Sequence, residues 1–218
     1  MAGKIKAVIF DLDGTLLYTI ESIASGMNSV LEKHGLPTHT AEQYKMFVGD
    51  GAANLTRRSL SGAALTDEEI SQIEKDFRSE YVSNQPGSTR PFDGVPELLA
   101  GLAAKGVKTA VLSNTSHGST LRTVEFFFRD TPFDAVIGLR PGHNVKPDPG
   151  SALEILEILG VEKGDVLYVG DTGTDMKTAK AAGLKAVGAL WGYRSKKELE
   201  DNGADVYAEH PRDVLMFI

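Results

Sequence analysis

The chain has 218 residues, of which 41% are hydrophobic and 24% charged, so it can bury a sizeable core and lacks the bias of disordered or fibrous chains. A net charge of -7 without any Lys/Arg block argues against nucleic acid as a partner. With no cysteine there is no disulfide, thiolate zinc site or cysteine nucleophile, and no apolar run approaches the ~20 residues that span a bilayer. We therefore expect a cytoplasmic protein with no membrane partner.

The first predicted element is a buried strand at 5–10, an apolar run that ends at a polar turn. The later part of the chain alternates between strand and helix patterns. We predict strands at 107–112, 135–138, 166–169 and 186–190, and helices at 121–129, 151–159 and 175–182. Such alternation is typical of a parallel sheet with helices on both faces.

The intervening segment has the periodicity of helices and no strand pattern. Apolar residues recur at helical spacing between Ile20 and Leu31. Thr40 with Gln43, and Thr66 with Glu69, form capping boxes that predict two further helix starts. The prediction is an α/β fold with a doubly wound, mostly parallel Rossmann-like sheet and an inserted α-helical cap domain. Its expected bounds are 1–16 and 88–218 for the core and 17–87 for the cap, with a return linker at 83–90.

Two carboxylates follow the first predicted strand, in the segment Asp11-Leu-Asp-Gly-Thr15. An ionised aspartate such as Asp11 can attack phosphorus and form an aspartyl-phosphate. Asp13 lies on the same side of an extended segment and can serve as acid and then as base. Gly14 allows a tight turn whose amides can face a phosphate. A polar turn in which the aspartates bond local backbone explains the same residues, so both interpretations stay open.

Two further polar clusters come later in the chain. Ser113-Asn114 follows a predicted strand and offers a hydroxyl and amides to a phosphate oxygen, or an N-cap to the next helix. Lys146 is a point charge suited to a phosphoryl group, and Pro147 restricts its backbone to an extended form. Asp148-Pro149 is typical of a helix start, with the aspartate as N-cap.

The last cluster, Gly170-Asp-Thr-Gly-Thr-Asp175, follows the strand predicted at 166–169. Mg²⁺ prefers oxygen ligands, usually one or two carboxylates with water and substrate phosphate, and Asp171 at a strand end suits that role. Asp175 either orients Lys146 or is a carboxylate at a helix N-terminus. Ligand sites of such sheets lie at the carboxyl ends of the strands, so the clusters are expected to meet.

Together and in this order, the motifs resemble those of the haloacid-dehalogenase-like hydrolase superfamily. They are DLDGT at 11–15, LSN at 112–114, the lysine before proline at 146, and GDTGTD at 170–175. The resemblance covers nearly the whole chain, including a helical cap inserted after the first motif. Members that act on carbon lack an acid at the place of Asp13, so its presence favours phosphorus chemistry.

The resemblance implies a role for each matching residue. Asp11 would attack phosphorus and bind Mg²⁺, while Asp13 would protonate the leaving alkoxide, activate water and give its backbone carbonyl to the metal. Asp171 would complete the metal site, with Asp175 supporting it. The phosphoryl oxygens would be held by Thr15, Ser113, Asn114 and Lys146.

Within the superfamily, segment 48–58 and the loop Leu190-Trp-Gly-Tyr193 resemble the phosphoglycolate-phosphatase-like branch, which commonly has Asp-Ser where this chain has Tyr18-Thr19. The implied function is Mg²⁺-dependent hydrolysis of a small phosphorylated metabolite by a monomer or homodimer. A phosphomutase of the β-phosphoglucomutase type would share these residues and stays open. A non-catalytic phosphate- or nucleotide-binding module is disfavoured, because every catalytic position is filled and no G-x-G-x-x-G follows the first strand.

The predicted cap contains candidate substrate contacts of its own. Arg57 and Arg58 could reach a substrate carboxylate or phosphate, although a solvated helix face is the favoured account of both. Gly49-Asp-Gly51 is either a specificity loop or a helix-breaking turn.

Overall fold

Strands and helices alternate along most of the chain in the computed structural model, which describes residues 4–83 and 87–218. The strands are β1 (Ala7–Phe10), β2 (Leu17–Tyr18), β3 (Arg90–Pro91), β4 (Lys108–Ser116), β5 (Ala135–Leu139), β6 (Val166–Gly170), β7 (Lys185–Ala189) and β8 (Val206–Ala208). The helices are α1 (Ile20–Lys33), α2 (Ala41–Phe47), α3 (Ala52–Ser59), α4 (Asp67–Ser83), α5 (Val95–Ala104), α6 (His117–Phe128), α7 (Gly150–Leu159), α8 (Gly173–Ala182) and α9 (Lys196–Asp201). Short 3₁₀ helices cover Lys163–Asp165 and Pro211–Phe217. Across the described ranges, no helix combines the length and apolar character needed to cross a membrane.

Six strands of the described chain form one parallel sheet in the order β5-β4-β1-β6-β7-β8. The chain starts in the middle at β1, builds outward to β5 on one side, and then builds outward to β8 on the other. The side chains of β1 alternate between two buried clusters, with Val8 and Phe10 in one and Ala7 and Ile9 in the other. Because α5 and α6 contribute to the first cluster and α7, α8 and α9 to the second, both faces are covered. The predicted doubly wound α/β fold is confirmed.

Helices α1 to α4 pack around a third apolar cluster, which includes Met27, Tyr44, Leu55 and Phe77. The Thr40 hydroxyl accepts the Gln43 N–H at 3.3 Å, and the Gln43 side chain accepts the Thr40 N–H at 2.8 Å. Thr66 and Glu69 make the same reciprocal pair at the start of α4. Both predicted capping boxes are therefore confirmed.

A two-stranded ribbon joins this helical segment to the sheet. Leu17 of β2 pairs with Pro91 of β3, and Tyr18 pairs with Arg90, in antiparallel register. The chain therefore leaves and re-enters the core at adjacent points. Part of the predicted return linker, 84–86, lies outside the described residues.

Several predicted boundaries differ from the structure by one or two residues, and helix α6 begins at His117 rather than at 121. Two further differences lie beside the strand ends. The strand predicted to end at Leu112 continues as β4 to Ser116, with a shift in its pairing to β5 between these residues. Helix α7 begins at Gly150 with Pro149 at the N-cap position, whereas Asp148 was predicted to occupy it. The Asp148 carboxylate instead accepts the Gly150 N–H at 2.8 Å from one residue further back.

Candidate active site

The carboxyl ends of β1, β4 and β6 meet in the middle of the sheet. Phe10 ends β1 and is in register with Val111 of β4 and Val169 of β6. Asp11 comes next, and its N–H donates to the Val169 carbonyl at 2.9 Å. The strand order reverses at this point, where doubly wound sheets usually form their ligand crevice. The sheet therefore places the Asp11 carboxylate at the base of that crevice.

Lys146 joins two of the predicted carboxylates. Its Nζ lies 2.7 Å from Asp11 Oδ1 and 2.7 Å from Asp175 Oδ1, and it also donates to the Leu112 carbonyl at 3.2 Å. The Lys146 N–H donates to the Asn114 side chain at 2.8 Å, which holds the lysine against the end of β4. Only 4% of the Lys146 side chain is exposed. Burial lowers its pKa, but the charges of Asp11 and Asp175 outweigh burial and raise the pKa well above the ordinary value.

Three buried carboxylates lie together, and Lys146 pairs with two of them. One oxygen from each of Asp11, Asp171 and Asp175 lies within 4.8 Å of the other two. Burial, and then the charge of Asp175, raise the pKa of Asp171 to about 7, although hydrogen bonds from the Tyr193 N–H (2.9 Å) and the Thr15 hydroxyl (2.8 Å) oppose the rise. With Lys146 as the single cation that contacts these three carboxylates among the described residues, the cluster has an excess of negative charge. Carboxylate oxygens are the donors that hard divalent cations prefer, so these residues fit such an ion.

Asp175 has little capacity left for a further ligand. Its Oδ1 faces Lys146, and its Oδ2 accepts the Thr172 N–H at 3.1 Å and the Thr172 hydroxyl at 2.6 Å. The Thr172 hydroxyl also accepts the Asp175 N–H, which completes a capping box at the start of α8. The sequence left open whether Asp175 orients Lys146 or lies at a helix N-terminus. In the structure it does both.

Asp13 is the only one of these four carboxylates that is partly exposed. Its Oδ2 accepts the Thr115 hydroxyl at 3.2 Å from the extended end of β4. Burial raises the pKa of Asp13, and hydroxyl groups of Thr19 and Thr115 oppose that rise. A raised pKa keeps a carboxyl group protonated at higher pH, which suits a proton donor.

The predicted phosphate-binding residues differ in what their side chains contact. The Thr15 hydroxyl donates to Asp171. The Asn114 amide donates to the Gly49 carbonyl at 3.0 Å, so it reaches from the sheet to the helical segment. The Ser113 hydroxyl accepts a backbone N–H from two residues further on, at 3.0 Å. Of these three predicted residues, Ser113 and Asn114 line the cavity described next, and Thr15 does not.

A cavity of about 230 Å³ separates the strand ends from α1, α3 and α4. Asp11, Asp13 and Lys146 lie on its sheet side, and Gly49 and Gly51 lie on the opposite side. The helical segment therefore covers the candidate active site, and the residues of the predicted specificity loop contribute to its wall.

Arg57 and Arg58 do not line this cavity. Arg57 is exposed, whereas Arg58 donates to the Phe47 carbonyl at 2.8 Å and forms an ion pair with Asp50. Asp50 also accepts the Thr174 hydroxyl at 2.6 Å, across to the N-terminal turn of α8. Arg58 therefore braces a contact between the helical segment and the sheet domain.

Tyr193 is a site residue whose role could not be predicted from the sequence beyond its place in the loop at 190–193. Its N–H donates to Asp171, and its hydroxyl accepts the N–H groups of Thr19 (2.8 Å) and Ile20 (3.1 Å). The hydroxyl thus satisfies backbone donors at the start of α1, where no side chain caps the helix. One residue connects the acidic cluster to the first helix over the cavity.

Gly192 offers a test of how closely this loop approaches Asp171. A Cβ at Gly192 would lie 2.1 Å from the Asp171 Cβ, so Gly192→Ala must displace one of them. We expect the free energy of unfolding to fall by about 1–3 kcal/mol. We also expect affinity for a divalent cation to fall by about tenfold or more, because a supporting contact of Asp171 is lost. Urea unfolding and calorimetric titration measure the two effects.

Gly164→Ala is the matched control, because a Cβ there meets nothing within 4 Å. We expect it to change the free energy of unfolding by no more than about 0.5 kcal/mol. Equal behaviour of the two variants would contradict the close approach.

Comparison with known sequences and structures finds relatives that match nearly the whole chain. A sequence model of the haloacid dehalogenase-like hydrolases matches residues 8–189. A phosphoglycolate phosphatase of Aquifex aeolicus is 33% identical over 210 residues, which are 96% of this chain and 95% of the relative. An N-acetylmuramic acid 6-phosphate phosphatase of Pseudomonas aeruginosa is 30% identical over 97% of this chain and 94% of its own length. A solved structure from Lactobacillus delbrueckii, described as a candidate phosphoglycolate phosphatase, superposes with a TM-score of 0.94 at 30% identity and covers 99% of both chains.

Proposed function

This chain belongs to the haloacid dehalogenase-like hydrolases, and on that basis we propose that it is a phosphatase that hydrolyses small phosphate monoesters through a phosphorylated Asp11, with Mg²⁺ as its metal. The observation that carries the proposal is the arrangement at the base of the cavity. The carboxylates of Asp11 and Asp13 and the Lys146 ammonium border the same space. A nucleophile, an acid and a positive charge are the groups that transfer of a phosphoryl group to a carboxylate needs.

We assign the two chemical steps to Asp11 and Asp13. In the first, an Asp11 oxygen bonds to phosphorus, the ester P–O bond breaks, and the leaving alkoxide takes the proton of Asp13. In the second, Asp13 removes a proton from water, which attacks phosphorus and breaks its bond to Asp11. Inorganic phosphate leaves, and both carboxyl groups return to their first states. The raised pKa of Asp13 supports its role as the acid.

We assign the remaining polar residues to holding the phosphoryl group and the metal. Mg²⁺ would be held by Asp11, Asp171 and the Asp13 carbonyl, and when bound it neutralises charge on the phosphoryl oxygens. Asp175 is left to hold Lys146 beside Asp11, which fits its engaged oxygens. The phosphoryl oxygens would contact Lys146, the Ser113 hydroxyl and backbone amides near Thr15 and Asn114.

We assign residues 17–87 to a cap that selects the substrate and excludes water during the reaction. The contact of Gly49 with Asn114 and that of Asp50 with Thr174 support a closed position of this cap. Since Arg57 and Arg58 do not line the cavity, we give them no direct substrate contact. A cytoplasmic location and a monomeric or homodimeric state stay predictions.

The experiment that tests the reaction is release of inorganic phosphate from a panel of esters that includes 2-phosphoglycolate and glucose 1-phosphate. The first is in the panel because several relatives are named for it. We expect release with Mg²⁺, background rates with a chelator, and full recovery when Mg²⁺ is restored. Ca²⁺ is the control, because it is larger and takes about six to eight oxygen ligands, so it should restore far less activity.

Chelation that leaves release unchanged would contradict the role of the metal. Conversion of glucose 1-phosphate into an isomeric sugar phosphate, without free phosphate, would replace the phosphatase by the phosphomutase alternative.

A further inference from the structure

The cavity above Asp11 and Asp13 has two chemically different sides. The sheet side carries hydroxyl and amide groups, from Ser113, Asn114, Thr115, Ser116 and Ser119. The cap side is largely hydrocarbon, from Ile23, Val48, Ala52, Leu55 and Phe77. A phosphoryl group bonded to Asp11 must lie on the sheet side, so the alcohol part of the ester faces the hydrocarbon.

The cations that border this cavity already have carboxylate partners. Among the described lining residues the positive side chains are Lys146 and Arg78. Lys146 lies between Asp11 and Asp175. Arg78 donates through Nε (3.0 Å) and Nη2 (2.6 Å) to Glu74, one turn earlier on α4. A carboxylate on the alcohol part would therefore have to share Arg78 with Glu74 or lie against apolar side chains.

An anion held against hydrocarbon without a partner is strongly disfavoured, whereas apolar surface is stabilised there. The available space also exceeds what a glycolate group needs. An apolar cavity of about 150 Å³ holds a benzene ring in a well-studied engineered protein, and this cavity is about 230 Å³ including its polar side. We infer that the preferred substrates are phosphate monoesters of uncharged alcohols that carry a hydrocarbon ring or chain, rather than 2-phosphoglycolate. This inference rests on the proposed function and narrows its substrate class.

The first test compares kcat/KM of the wild-type enzyme with Mg²⁺ for benzyl phosphate, ethyl phosphate and 2-phosphoglycolate. All three are esters of unactivated primary alcohols, so they differ chiefly in the size and charge of the leaving group. We expect benzyl phosphate to exceed 2-phosphoglycolate by about tenfold or more, equivalent to about 1.4 kcal/mol, with ethyl phosphate between them.

The second test adds a positive charge to the cap side. Ala52 begins α3, borders the cavity and is half-buried, so a longer side chain there need not disrupt the apolar cluster. Ala52→Lys should raise the ratio of kcat/KM for 2-phosphoglycolate to that for benzyl phosphate by about tenfold or more. Ala53→Lys adds the same charge one residue further along α3, at a position that does not line the cavity, and should leave the ratio unchanged.

The outcomes separate this inference from the proposed function. Metal-dependent release from all three esters with 2-phosphoglycolate preferred would overturn the inference and leave the phosphatase intact. If Ala52→Lys and Ala53→Lys changed the ratio of kcat/KM for 2-phosphoglycolate to that for benzyl phosphate equally, the cap side of the cavity would not be what contacts the leaving group. An absence of metal-dependent release from any ester in the full panel would overturn the proposed function itself. The wild-type comparison decides the substrate class even if Ala52→Lys does not fold.

Discussion

Asp11→Asn is expected to abolish phosphate release, with kcat lowered by about 10⁴-fold or more. An amide oxygen is a far weaker nucleophile than a carboxylate oxygen, so the variant should not form the phosphoenzyme. The two side chains have nearly the same shape, so the variant should fold. Removal of a buried carboxylate beside Asp171 and Asp175 also relieves repulsion, which offsets part of the lost attraction to Lys146. Initial rates with the preferred ester and urea unfolding measure both quantities.

Asp201→Asn is the control for this change. Asp201 is exposed, pairs with Lys197 on the same helix and does not line the cavity, so its loss should leave kcat unchanged. Acid quenching during turnover, followed by mass spectrometry of peptides, should find a phosphoryl group on the peptide that contains Asp11 in wild type alone. Wild-type turnover by folded Asp11→Asn would remove Asp11 from the role of nucleophile.

Features that depend on residues close in sequence could be predicted well. The side-chain oxygens of Thr40 and Thr66 accept the N–H three residues ahead, and this geometry is available as soon as a helix turn forms. Gly160 and Gly183 end α7 and α8 with positive φ angles of 64° and 75°, which glycine adopts without a steric penalty. These helix starts and ends therefore followed from local chemistry.

Helix α5 (Val95–Ala104) was not predicted from the sequence, although Pro96 in its first turn is a helix-start signal. Its buried residues Val95, Leu98, Leu99 and Leu102 do have helical spacing, but the opposite face is mostly alanine and carries one charged residue, Glu97, so the contrast between the two faces is weak. It also contains Gly101, which is normally unfavourable within a helix. A Cβ at Gly101 would lie 2.8 Å from Leu215 Cδ1, so the glycine lets the Leu215 side chain of the C-terminal 3₁₀ helix pack close against α5. Only the tertiary structure supplies that reason.

The sequence was enough to predict which residues meet at the candidate site. It was not enough to predict which of their atoms form hydrogen bonds. Carboxyl ends of adjacent parallel strands must lie together, so strand-end positions were enough to gather Asp11, Ser113 and Asp171. The partner of the Thr15 hydroxyl is 156 positions away in the sequence. A hydroxyl suits a phosphate oxygen and a carboxylate equally well, so its type does not decide between them. Only the folded structure decides between these partners, and in it the Thr15 hydroxyl donates to Asp171.

Lys146→Met is the second change with a large expected effect, because it removes stability as well as activity. The lysine is buried between Asp11 and Asp175, and methionine has similar length without the charge. Loss of one partner from a buried ion pair costs about 3–5 kcal/mol, since the remaining charge stays desolvated. Loss of a charge that binds the phosphoryl group should lower kcat by about 10²-fold or more. Urea unfolding in chelator at pH 7 and initial rates with Mg²⁺ measure these effects.

The stability difference between wild type and Lys146→Met should shrink as the pH falls from about 8 towards 5. Burial, and then the charge of Asp175, raise the pKa of Asp11, while Lys146 opposes them. Without the lysine this pKa rises further, so the folded variant takes up a proton on lowering the pH and is stabilised relative to its unfolded state. The raised pKa of Lys146 keeps its own contribution constant across this range in the wild type. A difference that does not change with pH would contradict the pairing of Lys146 with Asp11.

Lys180→Met is the matched control, because Lys180 pairs with Asp205 at the surface, where such pairs are worth no more than about 1 kcal/mol. A double-mutant cycle then isolates the buried pair. In the Asp11→Asn background one of the two carboxylates facing Lys146 is already neutral, so Lys146→Met should cost less than it does in wild type. The expected coupling is about 1–3 kcal/mol. An equal cost in both backgrounds would leave Asp175 as the sole energetic partner of the lysine, because Asp11 could then contribute nothing to holding it.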